Sequence, residues 1–199
     1  MKRLEKAGMQ KNWIYETIVT TFCDKNPHAA PFGVWTEDFD TLNMLIYKGS
    51  RTLENIIRQR EFAVNLIADM SVFHKSLFNK EEIVYENSKQ INAPLLKDSS
   101  ATVELKLKRI EEKENKFHIN GEVVDIQTGN KVRLINRAEN LVLESLILAT
   151  RIPYLNKRRT EEDLMENYRV IRKVAPCSEY RKIMEKILTA QNLLNLNIE

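Results

Sequence analysis

Cysteine is nearly absent: two in 199 residues, Cys23 and Cys177, far apart and without a CxxC element. That excludes a disulfide-stapled scaffold and a cysteine-framed metal site, and it suits a reducing cytoplasm. Histidine is scarce as well. His28, His74 and His118 form no pair at ligand spacing, which argues against zinc. Long apolar runs are missing. The most apolar stretch, 141–149, carries Glu144 and is far shorter than the roughly 20 residues a membrane helix needs, so it reads as a buried helix. The N-terminus has basic residues but no apolar stretch of the signal-peptide kind. Charge of one sign does not accumulate either. Lys and Arg are interspersed with Asp and Glu to a net +3, so no nucleic-acid partner is expected. The exception, Asn156-Lys157-Arg158-Arg159, reads as a solvated loop between helices, with a basic anion patch as the alternative.

What is present is a foldable mixture, 43% hydrophobic and 30% charged, which argues for a packed core over disorder. Its pattern changes near Asn136. Before that point short β-like runs dominate: 16–22, then 29–35 after the turn Asp24-Lys25-Asn26-Pro27, 41–47 with Leu42, Met44 and Ile46 on one face, and 62–67. The clearest strand is 101–108, where Val103, Leu105 and Leu107 alternate with Glu104, Lys106 and Lys108. A charged turn over 111–116 leads to a partner strand over 117–126, bent at Gly121. A helix is predicted over 52–59, and a turn or two near Phe73 and Leu77. The stretch 81–100 has little pattern and reads as a loop that covers a site. Many short strands at close spacing point to a barrel or sandwich.

After Asn136 the period is helical. The stretch 138–150 is apolar almost all round. Thr160 with Asp163 resembles a capping box ahead of Leu164, Tyr168 and Ile171. Pro176 and Ser178 open a last helix whose apolar positions are Tyr180, Ile183, Met184, Ile187, Leu188 and Leu194. A small antiparallel helical cluster follows. The expected organisation is a β domain over 1–136 and a helical subdomain over 137–199, an α+β chain.

One segment carries chemistry. In Tyr47-Lys48-Gly49-Ser50-Arg51-Thr52-Leu53-Glu54-Asn55 a strand ends, a glycine turns the backbone, and a helix begins. The first helical N–H groups lack intrahelical partners and, with the helix dipole, form an anion site. Ser50 and Thr52 add hydroxyls, Arg51 a planar fork, and Asn55 an amide about one turn on. Charge-assisted hydrogen bonds of this kind contribute about 1.5–3 kcal/mol each. Ordinary helix capping explains the same spacing.

The run Ser50 to Ile57, followed by Glu61-Phe62-Ala63-Val64-Asn65-Leu66, resembles the flavin-reductase-like members of the FMN-binding split-barrel superfamily, whose strand-turn-helix reads Ser/Thr-x-Thr-x-x-Asn before a Glu-Phe-x-Val-Asn strand. Glu16-Thr17-Ile18-Val19-Thr20-Thr21 and Asn26 to Val34 are similar to one largely archaeal subgroup, which has a second motif near Ile135-Asn136-Arg137-Ala138-Glu139. The resemblance implies a Greek-key split β-barrel with a C-terminal helical subdomain. It implies a homodimer with FMN near the subunit interface, and phosphate contacts from Ser50, Arg51, Thr52 and Asn55. It further implies that Pro31-Phe32-Gly33-Val34 runs along the isoalloxazine ring. Small residues at Ala29, Ala30 and Gly33 suit a planar ring, and a plain core strand fits them too. Many flavin reductases have Lys-Asp before the Thr, where this chain has Ser50-Arg51.

Three functions fit: an FMN-dependent oxidoreductase or flavin reductase working with a small-molecule electron donor or acceptor, a flavin carrier, sensor or electron-transfer protein, and a same-fold protein that holds deazaflavin or haem. His28 reads as an exposed turn residue or as an acid near the ring. Trp13 and Trp35 read as core packing or as flavin-stacking groups, and Cys23 as a small buried residue. Arg137 and Glu139 complete the site or pair at a helix start.

Overall fold

The computed structural model describes residues 3–129 and 131–193. In chain order they form α1 (Arg3–Lys6), β1 (Tyr15–Cys23), β2 (Asn26–Trp35), β3 (Thr41–Tyr47), α2 (Arg51–Gln59), β4 (Glu61–Leu66), α3 (Met70–Phe78), β5 (Tyr85–Asn87), β6 (Pro94–Leu96), β7 (Ala101–Lys113), β8 (Lys116–Thr128), α4 (Arg137–Arg151), α5 (Lys157–Val174) and α6 (Glu179–Ala190). The chain divides into two compact units, Met1–Lys11 with Tyr15–Ile135 and Asn12–Ile14 with Asn136–Glu199.

The first unit is a closed six-stranded barrel of order β1-β2-β3-β8-β7-β4, antiparallel throughout. Every barrel strand is paired on both sides over at least part of its length. The register puts Val19, Val64 and Val103 opposite one another, with Phe62 against Leu105 and Met44 against Ile119, and all of these are buried. This is the period-2 alternation of the sequence turned inward. At Gly121 a Cβ would sit 2.6 Å from the Phe62 ring. The glycine therefore serves a close approach inside the barrel, where sequence reading expected a bend. The strands on either side outrun their predicted ends: β7 continues to Lys113, so most of the supposed charged turn is ladder.

The stretch 81–100 is not a bare loop. It holds a 3-10 turn at Lys80–Glu82 and the β5–β6 hairpin. Ile91, Ala93 and Leu95 pack on Ala63, and Leu96 packs with Ile18, Ala29 and Ile67, so the hairpin clads the outside of β1 and β4. Asn65 locks it there. Its amide donates to Ile18 O and Thr20 Oγ1 and accepts from the Leu96 N–H and the Thr102 hydroxyl.

The second unit is built on Leu164, Ile171, Met184 and Leu188, all fully buried, with Trp13 tilted against Tyr180 at 5.7 Å. Asn136 caps α4 and donates to both Ile14 O and Val174 O, which brings residues 12–14 into this unit. Three expectations change. The basic run 156–159 is the cap and first turn of α5: Asn156 accepts from the Arg159 N–H, and Lys157 and Arg158 pair with Glu161 and Glu162. Thr160 is therefore inside the helix, donating to Asn156 O, and is not a cap. In α4, Leu143 and Leu146 are exposed, so the helix is not buried all round within the chain. Leu194 lies outside the described residues. Among those residues no helix is long and apolar enough to cross a membrane.

Candidate functional site

The predicted phosphate segment folds as a strand-turn-helix junction. β3 ends at Tyr47, Gly49 takes φ +78°, and a Cβ there would meet nothing within 4 Å. Ser50 is the N-cap of α2, accepting from the Leu53 N–H at 3.3 Å. Its hydroxyl hydrogen stays available, and the N–H groups of the first turn have no intrahelical acceptor. Ser50 is half-buried and Arg51 exposed. These two lie at the open end of the helix.

Thr52 and Asn55 face the other way. Both are buried and hydrogen-bonded to the β1–β2 hairpin, Thr52 Oγ1 to His28 Nε2 at 3.1 Å and Asn55 Nδ2 to Thr21 Oγ1 at 2.9 Å. Thr21 and His28 are themselves a cross-strand pair. One helix face is thus clamped by two bonds onto one rung of the barrel wall. His28 is buried, contrary to its reading as an exposed turn residue. The hairpin turn is only Asp24-Lys25, and His28 already sits in the ladder. Burial first, then the positive charges of Lys80 and Arg51, push its pKa down to about 4, so the imidazole is neutral at pH 7. Lys80, which sequence reading did not single out, therefore adds positive charge near the helix start. Its only signal was a basic residue just ahead of an unpatterned stretch.

The predicted ring strand shows a second feature. Among the described residues β2 pairs with β3 only at Val34–Met44 and Trp35–Asn43. From Gly33 back to Asn26 β2 pairs with β1 alone, while β3 from Leu45 to Tyr47 pairs with β8. A seam opens between β2 and β3, and the junction at Gly49–Ser50 follows directly from the end of β3. Pro31, Phe32 and Gly33 are half-buried along this seam, and Val34 is fully buried. On its β3 side Leu45 and Tyr47 are exposed apolar residues. Trp35 stacks on His118 at 5.5 Å and Trp13 belongs to the helical unit. Cys23 is half-buried, and Arg137 and Glu139 occupy the first turn of α4.

The arrangement fits a phosphate monoester with a planar body. The helix start, Ser50 and Arg51 offer donors and positive charge at one end, and the seam offers strand backbone along its length.

Two family models match the chain, "Protein of unknown function (DUF447) N-terminal domain" over residues 15–130 and "Protein of unknown function (DUF447)" over residues 136–189. The uncharacterized protein MJ1453 of Methanocaldococcus jannaschii is 27% identical over 91% of this chain and 100% of its own. Among solved structures, the FMN-bound protein MM1853 from Methanosarcina mazei is similar at a TM-score of 0.56 and 23% identity, covering 94% of this chain and 99% of that one. The NADH:FAD oxidoreductase SgcE6 of Streptomyces globisporus matches at a TM-score of 0.56 and 14% identity, over 61% of this chain and 74% of that one. The barrel with its C-terminal helices is the split-barrel fold that the motifs implied.

Proposed function

The chain belongs to the DUF447 family, and from that premise we propose that it binds FMN along the β2–β3 seam and acts as a flavin-dependent oxidoreductase of the flavin-reductase kind. The observation that carries this reading is the seam itself, a gap in an otherwise closed barrel that leads to a helix N-terminus. The first-turn N–H groups of α2, the Ser50 hydroxyl and the Arg51 guanidinium hold the phosphate. Thr52 and Asn55 keep the helix on the wall through His28 and Thr21. Lys80 adds long-range attraction. Pro31, Phe32, Gly33 and Val34 lie along the isoalloxazine ring. When bound, FMN supplies the hydride chemistry. The chain's residues bind it, orient it and shape access for a small electron donor or acceptor.

The FMN-bound Methanosarcina protein supports the choice of flavin. Leu45 and Tyr47, exposed beside the seam, support a homodimer that covers this face. Two free cysteines and no apolar spanning helix among the described residues support a cytoplasmic protein.

The test is a pair of titrations followed by flavin fluorescence. FMN binds the wild type more tightly than riboflavin does. Ser50→Ala/Arg51→Ala weakens FMN by at least about tenfold, the loss of one or two charge-assisted hydrogen bonds, and leaves riboflavin within about threefold. Equal weakening of both would remove the phosphate from this junction. No binding of either would sink the flavin reading altogether. With FMN bound, NAD(P)H consumption above that of free FMN separates an enzyme from a carrier.

A further inference from the structure

On the outer wall of the barrel β3, β8 and β7 contribute to a separate cavity of about 510 Å3. It lies far from the helix junction. Asn43, in its lining, pairs across the sheet with Trp35, seven residues along β2 from His28, about 23 Å at the rise of a strand.

Three features of its lining point to a ligand. The first is a β-bulge. The β7–β8 register shifts between Leu107 and Arg109, so Lys108 is an extra residue in its strand. A regular strand sends neighbouring side chains to opposite faces, whereas this bulge brings Lys108 and Arg109 into the lining of one cavity.

The second is that the acids nearby are engaged. The Asp38 carboxylate accepts from the Asp40 and Thr41 N–H groups at 2.9 and 2.8 Å and closes its own turn. Glu37 accepts from the Trp35 indole at 3.1 Å, and Glu111 pairs with Arg109. Lys108 has no ion-pair partner among the described residues.

The third is Asn43, only 4% exposed. Its Oδ1 accepts from both His118 Nε2 and Asn120 Nδ2, at 3.0 and 2.9 Å. Those two bonds orient the amide and leave its NH2 without a protein partner among the described residues, although the side chain lines the cavity. That donor is within reach of solvent and free to take an acceptor in the cavity.

We propose that this cavity is a binding site for a small organic oxyanion, a carboxylate or a phosphate ester. Its anionic group rests on Lys108, beside the Arg109 guanidinium that Glu111 also holds, and a second acceptor of the ligand takes the Asn43 amide. The volume falls in the range of small-molecule sites, so the occupant is larger than an inorganic ion. The lining includes none of the residues assigned to the flavin.

The full chain is titrated with citrate, glycerol phosphate and inorganic phosphate at constant ionic strength, followed by calorimetry and by the side-chain amide NMR signals of Asn43 and Asn120. The expected result is saturable binding of citrate or of glycerol phosphate that moves both signals; which of the two binds tells carboxylate from phosphate ester. Lys108→Gln/Arg109→Gln, exposed and compatible with the fold, weakens that binding by at least about tenfold with an unchanged melting midpoint. Ser50→Ala/Arg51→Ala leaves it unchanged, so this site and the flavin junction fail or stand separately. The proposal is overturned if neither organic probe moves the Asn43 and Asn120 signals. It is equally overturned if the Gln pair binds as tightly as wild type, or if inorganic phosphate binds as well as the organic probes, which is the outcome of an adventitious ion only.

Discussion

Asn65 on β4 and Asn43 on β3 are both buried amides on barrel strands, and they end differently. Asn65 fills both donor positions and accepts two bonds from groups of its own chain, so nothing is left over for another molecule. Asn43 spends its oxygen on His118 and Asn120 and keeps its NH2 for the cavity. The α2 junction lies between these extremes. Thr52 and Asn55 are committed to His28 and Thr21, while Ser50 and Arg51 stay at the open end. The contrast teaches that residue type and burial do not separate a brace from a binding group. The bonds still unmade do.

The hardest way to break the contrast is to remove the closed brace. Asn65→Ala strands the Leu96 N–H, leaves the Thr102 hydroxyl with Ser99 alone and frees two acceptors on β1. At about 1–3 kcal/mol for each buried group left unpaired, partly relieved by water, the loss is on the order of 3 kcal/mol. Urea unfolding at neutral pH measures it. A loss below about 1 kcal/mol would mean that the network is not closed. By the same reasoning the residue that looks like part of a flavin motif, the Asn of Glu-Phe-Ala-Val-Asn, is structural in this chain.

Other elements show how much was legible beforehand. β1, β3 and β4 lie within one residue of their predicted limits at each end, because alternation over six to nine residues and flanking Gly, Asn or Asp leave few other readings. β5 and β6 escaped, since three residues are too few to show a period, and the unbroken buried run 93–96 hides the alternation of Ile91, Ala93 and Leu95. The start of α5 escaped because Lys157-Arg158-Arg159 has no apolar member, and Asn156 alone announces it. At the candidate site the grouping of Ser50 to Asn55 was visible, being local. The inward turn of Thr52 and Asn55 was not, since their partners lie on a hairpin some thirty residues away. The outer cavity was invisible for the same reason: it needs three strands from distant parts of the chain and a bulge that only pairing reveals.

The clamp at α2 yields a pH test of intermediate size. His28 has a folded pKa near 4 against 6.5 in the unfolded chain. Between those values the unfolded chain binds more protons, so stability is full above pH 6.5 and falls as pH drops toward 4. The loss is on the order of 2 kcal/mol. Carboxylates titrate near the lower end as well, so the measurement is the difference between wild type and His28→Gln in melting midpoint across that window. The wild type falls more steeply. Parallel curves would show that His28 is not held neutral.

Asn43→Ala is expected to cost less than either, about 1 kcal/mol. His118 and Asn120, which lose their shared acceptor, are only half-buried and water replaces it. A cost equal to that of Asn65→Ala would erase the distinction between a closed brace and an open one.

The smallest effect sharpens what holds α2. Arg58 in its last turn pairs with Asp24 at 2.8 Å, across both ends of the same junction, and both side chains are largely exposed. Exposed pairs of this kind contribute about 0.2–1 kcal/mol, less as salt rises. A double-mutant cycle of Arg58→Ala and Asp24→Ala is therefore expected near the bottom of that range. The cycle of Thr52→Val and His28→Gln should give a larger coupling that added salt hardly changes, because that bond is buried and its imidazole is neutral. If the surface pair proved the stronger, helix α2 would be held to the hairpin by charge at its rim, and the buried rung would lose its claim to position Ser50 and Arg51.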